Sequence, residues 1–66
     1  MTGERILVIE DEESYRDSLA FLLGREGFTV FLAETGPRGV EEFARRGADV
    51  VLVGSERGVE TIAARR

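Results

Sequence analysis

The residues of this sequence that could do chemistry lie directly after its first apolar run, residues 6–9. That run has four large aliphatic residues, three of them β-branched, which is typical of a strand buried on both faces of a parallel sheet. Glu10 and Asp11 follow at once, so they stand at the edge where open α/β sheets bind ligands. Two carboxylates there predict a site for a hard cation such as Mg2+. Glu12 and Glu13 instead suit the first turn of a following helix, where the macrodipole favours acidic groups.

Length and composition limit how stable the fold can be. A chain of 66 residues makes one small domain, residues 1–66, and folding at that size buries only about 60% of the unfolded surface. The sequence has no Cys and no His, so neither disulfides nor a zinc ion can add stability. Association with another chain is then the remaining way to bury more apolar surface.

Charge and hydropathy argue against two classes of partner. The net charge of −4 argues against a nucleic-acid binder, because such binding depends on neutralising phosphates. No apolar run approaches the roughly 20 residues that span a bilayer, and the amino terminus lacks the features of a secretory signal. We therefore expect a cytoplasmic protein that binds neither nucleic acid nor membrane.

Apolar periodicity predicts strands that alternate with helices along the whole chain. The predicted strands are residues 6–9, 28–33 and 50–53, and the predicted helices are residues 14–25, 37–46 and 56–64, the last capped by Ser55. The sides expected to face the sheet are Tyr15, Leu19, Leu22 and Leu23 in the first helix and Val40, Phe43 and Ala44 in the second. Such alternation predicts a parallel α/β layer with right-handed crossovers.

Three stretches of the sequence resemble the receiver domains of two-component response regulators. They are residues 5–13 (RILVIEDEE), residues 18–28 (SLAFLLGREGF) and residues 47–53 (GADVVLV). The resemblance implies a flavodoxin-like α/β fold, of which this chain would hold a truncated half with three parallel strands, ordered 2-1-3, and helices on both faces. It also implies Mg2+-dependent phosphoryl transfer from a kinase histidine to an aspartate, with Glu10 and Asp11 matching the metal-binding pair.

The sequence departs from that family where the phosphoryl group should be accepted. The acceptor aspartate should follow Val53, but Gly54 stands there, and the strands that carry the family's switch Ser/Thr and its Lys are missing. We therefore predict no catalytic residue, no cofactor-binding residue and no enzymatic activity. Mg2+ binding by Glu10 and Asp11 is expected to be weak at most, because Mg2+ normally needs further oxygen ligands.

Two functions of different kinds follow from this pattern. The first is a degenerate receiver-like module of phosphorelay signalling, which associates with itself or with a sensor kinase or response regulator without being phosphorylated. The alternative is an active phosphoacceptor that uses Asp11, or whose site a second chain completes. A truncated or engineered half-domain with no activity of its own is also compatible with the sequence.

The expected partner is a second copy of the same chain, and dimerisation would complete the fold. In the family's strand order, loss of the fourth and fifth strands leaves residues 50–53 at the edge of the sheet. An edge of four aliphatic residues is an open template for pairing. The sequence thus predicts a homodimer through the third strand, with antiparallel pairing about a two-fold axis near Val51 or Leu52.

Overall fold

The described residues form one sheet of four strands with two helices packed on it. The computed structural model describes the backbone of residues 4–55 and 58–63 and the side chains of residues 4–54. The elements in chain order are β1 (Arg5–Ile9), α1 (Glu13–Arg25), β2 (Thr29–Ala33), α2 (Gly36–Arg46), β3 (Val50–Ser55) and β4 (Gly58–Ala63). The strand order across the sheet is β2-β1-β3-β4.

Strand β1 lies at the centre of the parallel part of the sheet. Leu7 pairs in register with Phe31 of β2 on one side and with Val51 of β3 on the other, and both pairings are parallel. Leu7 is 2% exposed and Val8 is completely buried. The predicted truncated flavodoxin-like half, with three parallel strands in the order 2-1-3, is therefore confirmed.

The two helices cover opposite faces of β1. Gly39 of α2 lies against the side chain of Ile9, which shares a face with Leu7 because side chains alternate along a strand. Ile6 and Val8 therefore point to the other face, and both are buried there. That face is covered by α1, which contacts β1 and β2.

Helix α1 faces the sheet with a different set of residues from the predicted one. Leu19, Ala20 and Leu23 are half-buried, together with Arg16. The prediction that Tyr15 and Leu22 share this side is wrong, because both are about half exposed. At 3.6 residues per turn they lie about a quarter of a turn away from the buried stripe.

Helix α2 begins and ends with the signals expected from its sequence. Thr35 is the N-cap, its Oγ1 accepts from the Arg38 backbone N–H at 3.2 Å, and Pro37 follows in the first turn. Gly47 ends the helix at a φ of 71°, a conformation that favours glycine. Phe43 packs against the core as predicted, but Val40 and Ala44 are exposed, because the helix meets β1 through Gly39. In the described part of the chain, no helix has the length and apolar content needed to cross a membrane.

The predicted third helix is wrong, since residues 58–63 form β4, which pairs antiparallel with β3. Ser55, the predicted helix cap, is the last residue of β3. The segment contains Val59, Thr61 and Ile62, β-branched residues that favour a strand, and pairing satisfies the backbone groups at the outer edge of β3. Residues 56–57 and 64 of the predicted helix lie outside the described residues.

The edge on which the predicted dimer depended is already paired. Val51 and Leu52 of β3 lie opposite Ile62 and Thr61 of β4 in the same chain. The proposed antiparallel pairing of two third strands is therefore wrong for this fold, because β3 has a strand on each side. Association of two copies remains a prediction and needs another surface.

The β3–β4 half of the sheet lacks a helical layer among the described residues, because both helices pack on β1 and β2. On the α2 side, the boundary is a shallow apolar groove lined by Leu7, Ile9, Gly39, Val40, Phe43 and Val51. Val40 is 69% exposed over this groove. Among the described elements, the helices thus cover the β1–β2 half of the sheet and not the β3–β4 half.

The close approach of α2 to β1 generates a stability prediction for two helical glycines. A Cβ at Gly39 would lie 2.7 Å from Cγ1 of Ile9 and closer still to its Cδ1, whereas a Cβ at Gly24 in α1 meets nothing within 4 Å. We expect Gly39→Ala to lower the free energy of unfolding by about 1–3 kcal/mol through overpacking. The matched control Gly24→Ala should raise it by up to about 1 kcal/mol through helix propensity. Urea denaturation measures both, and a stabilised Gly39→Ala would contradict the described packing.

Candidate functional site

A cleft of about 600 Å3 opens at the carboxyl edge of the parallel strands. It is formed where β1, β2 and β3 end, as expected for a ligand site in an open α/β sheet. The residues around it are Ile9, Glu10, Asp11, Glu12, Tyr15, Glu34, Thr35, Gly36, Val53 and Gly54. Four of these are carboxylic acids, so the cleft is strongly acidic.

Glu10 is the buried residue of this cleft, with 5% of its surface exposed. Its backbone N–H donates to the Ala33 carbonyl at 3.0 Å, which continues the pairing of β1 with β2. One carboxylate oxygen, Oε2, accepts from the Glu12 backbone N–H at 2.9 Å. This contact satisfies a backbone donor at the start of α1. Glu12 is the N-cap residue of that helix, and its own side chain makes no capping hydrogen bond.

The other carboxylate oxygen of Glu10 lies over the α-carbon of Gly54. Oε1 is buried and has no hydrogen-bond partner among the described residues. A Cβ built on Gly54 would contact this oxygen and would lie 2.7 Å from the carboxyl carbon of Glu10. The space that a side chain at the end of β3 would occupy is therefore filled by the side chain of Glu10.

Arg16 is a cation close to the cleft, and it lines a neighbouring cavity with Glu34 and Arg38. Its Nη1 donates to the Glu10 carbonyl at 2.9 Å, and its Nη2 lies 3.9 Å from Oε2 of Glu34. The Arg16 side chain is largely buried, whereas the Glu34 carboxylate is exposed. Arg16 thus ties the loop after β1 to the loop after β2, and its charge offsets only part of the acidic lining.

The structure brings only one of the two predicted metal ligands into the floor of the cleft. Glu10 is buried there, and Asp11 is exposed at its rim. Among the described residues, no group of three or more acidic, His or Cys side chains is placed to hold a metal ion. Glu10 is 5% exposed and its Oε2 already accepts from the Glu12 N–H, so this donor set fits Mg2+ poorly, since Mg2+ requires near-octahedral oxygen coordination. The assignment of Glu10 and Asp11 as metal ligands remains a prediction.

Sequence reasoning missed Arg16 and the contact between Glu10 and Gly54. Arg16 could have been found as the one charged residue on the same side of α1 as Leu19 and Leu23. The contact with Gly54 had no comparable signal, because it depends on the register that places Ile9 beside Val53.

The fold and the acidic cleft define the chain as half of a parallel α/β domain with an acidic ligand edge. No protein-family model matches the chain. Its relatives include the proteins named sensory transduction protein RegX3 of Mycobacterium bovis, Mycobacterium tuberculosis and Mycolicibacterium smegmatis. Each is 52% identical over 48 residues, which is 73% of this chain and 21% of the relative.

These relatives confirm the resemblance that the sequence predicted. The chain belongs to the response-regulator family and carries the amino-terminal part of a receiver domain. It spans about a fifth of the length of the curated relatives that it matches.

The contact between Glu10 and Gly54 predicts energetic coupling between these two residues. We expect Gly54→Ala to lower the free energy of unfolding by about 1–3 kcal/mol, because the new methyl group must displace the Glu10 carboxylate. The same substitution in a Glu10→Ala background should cost clearly less, and a double-mutant cycle by urea denaturation measures the difference. Equal costs in both backgrounds would show that the two side chains do not compete for this space.

Mg2+ binding supplies a second prediction for the cleft. We expect a dissociation constant on the order of millimolar or weaker, because only two carboxylates were predicted to bind and one of them is buried. Calorimetric titration with Mg2+ and Mn2+ of the unmodified chain and of Asp11→Asn gives the measurement. Micromolar binding that Asp11→Asn abolishes would mean that further ligands reach the site.

Proposed function

We propose that this chain is a receiver-like module of two-component signal transduction that acts through binding and is not phosphorylated. It is not an enzyme in this proposal, and its partners are a second copy of the chain, a sensor kinase or a response regulator. The observation that carries the proposal is the Glu10 carboxylate seated on the α-carbon of Gly54. The sensory transduction name of the relatives supports the signalling context.

Position 54 lacks a nucleophilic side chain, and the Glu10 carboxylate occupies the space that such a side chain would need. Glycine carries no side-chain oxygen that could accept a phosphoryl group. An aspartate at this position would have to displace the buried Glu10 carboxylate, whose Oε2 accepts a hydrogen bond from the Glu12 N–H at 2.9 Å. The arrangement therefore favours a site that does not undergo phosphoryl transfer.

The remaining carboxylates of the cleft lack the surroundings that phosphoryl transfer requires. Such a reaction depends on cations that neutralise the charge spread over the transferring phosphoryl oxygens. The sequence contains no Lys, and Arg16 already contacts the Glu10 carbonyl and Glu34. Phosphorylation of the exposed Asp11 would add negative charge to an acidic rim, and among the described residues no basic side chain pairs with Asp11.

Binding is the function that the rest of the surface supports. Tyr15, Phe21 and Leu22 of α1 are each about half exposed or more, and so is Val40 of α2. The β3–β4 half of the sheet also lacks a helical cover among the described residues. A cytoplasmic location belongs to the same proposal, since partners of the two-component class act there.

The test is incubation with acetyl phosphate and Mg2+, followed by intact-mass measurement. We expect no gain of a phosphoryl group by the unmodified chain or by Gly54→Asp, since Glu10 and the missing cations oppose transfer in both. A full-length receiver known to accept phosphate from the same reagent serves as the positive control. Stoichiometric phosphorylation of the unmodified chain, lost in Asp11→Asn, would overturn the proposal in favour of an active acceptor at Asp11.

A further inference from the structure

The outer edge of β4 is an unpaired edge of the described sheet. Strand β4 ends the sheet, and no described strand pairs with its outer side. Open edges are usually protected by Pro, by charged side chains, especially Lys, or by a bulge. Residues 58–63 contain neither Pro nor Lys, and Glu60 is their single charged residue. The other edge strand, β2, contacts both helices, whereas no described helix contacts β3 or β4, so β4 is the less covered of the two edges.

The hydrogen bonds of β1 fix which backbone groups face each side of the sheet. Glu10 N–H donates to the Ala33 carbonyl, and the Glu4 carbonyl accepts from the Thr29 N–H, each at 3.0 Å. Even-numbered residues of β1 therefore bond to β2, and the odd-numbered Leu7 bonds to β3, because backbone groups alternate in direction along a strand.

The same alternation can be followed across β3 to the outer edge of β4. Leu7 is in parallel register with Val51, so its bonds go to the flanking residues of β3, and Val51 itself faces β4. Val51 and Val53 lie opposite Ile62 and Glu60. The N–H and C=O groups of Ile62 and Glu60 therefore point inward. Those of the alternate residues, Val59, Thr61 and Ala63, point outward.

We propose that two chains pair antiparallel through their β4 strands, about a two-fold axis at Thr61. Thr61 then lies opposite Thr61 of the other copy, and Val59 lies opposite Ala63 in both directions. All three outward residues exchange both backbone hydrogen bonds with this register. The result is a continuous sheet of eight strands that forms without any exchange of strands between the two chains.

Two neighbouring registers also leave every side chain on the same face of the sheet, but their charge pairing or hydrogen bonding is less favourable. An axis at Glu60 places the two Glu60 residues directly opposite each other, which is unfavourable for like charges, and leaves Ala63 unpaired. An axis at Ile62 leaves Val59 unpaired. The axis at Thr61 avoids both losses and sets Glu60 opposite Ile62 of the other copy. Charge and hydrogen bonding thus select one register.

This inference deepens the proposed function by giving self-association a surface, and it is tested separately from phosphorylation. Sedimentation equilibrium of the unmodified chain should show a concentration-dependent dimer. Thr61→Glu and Thr61→Arg should each weaken dimerisation at least about tenfold, because like charges then meet at the axis. An equimolar mixture of the two variants should form a heterodimer about as strong as the unmodified dimer, since opposite charges then face each other.

Matched controls separate loss of the interface from loss of the fold. Thr29→Glu and Thr29→Arg place the same charges on β2, the opposite edge strand, and should leave dimerisation unchanged. Circular dichroism of each variant reports whether the sheet persists, and Thr61→Ser should remain dimeric. A monomer at all concentrations would overturn the inference. So would a dimer indifferent to charge at Thr61, or folded Glu and Arg variants that fail to associate when mixed.

Discussion

Burial of β1 on both faces is the constraint on which the rest of the structure depends. The buried apolar residues among those described are Ile6, Leu7, Val8, Ala33 and Ala48, and the largest of them stand in this one strand. Full burial of an aliphatic side chain stabilises by about 1.5–3 kcal/mol, a large share of the stability expected of so small a domain. Both helices are positioned by the need to cover β1, one on each face. Strands β2 and β3 are positioned by its two hydrogen-bonding edges.

The same strand determines the chemistry of the cleft. Because β1 and β3 are in parallel register up to Ile9 and Val53, the next residues, Glu10 and Gly54, are brought side by side at the edge of the sheet. A buried carboxylate needs space and a hydrogen-bond donor. The glycine provides the space, and the Glu12 N–H provides the donor. The absence of a side chain at Gly54 and the burial of Glu10 therefore depend on each other.

The sequence predicted secondary structure correctly where the residues of a segment suited only one kind of structural environment. Residues 6–9 could be predicted as a central strand because four consecutive large aliphatic residues need cover on both faces. Residues 58–63 were mispredicted because helical spacing of Val59, Ile62 and Ala63 competed with β-branched composition, and the outcome depended on pairing with β3. The location of Glu10 at the sheet edge followed from its place after the first strand. Its turn toward Gly54 did not, since that depends on a neighbour distant in sequence.

The antiparallel attachment of β4 also has a consequence for the order in which the molecule folds. Strands β3 and β4 are joined by residues 56–57 alone, and a hairpin with so short a connection forms within about 1–10 microseconds. The pairing of β1 with β3 has to close a loop that contains residues 10–49, and non-local parallel pairing is intrinsically slow. The hairpin can thus offer β1 a strand already held in an extended conformation. Strand β4 would then contribute early in folding, by holding β3 in the conformation in which β1 pairs with it.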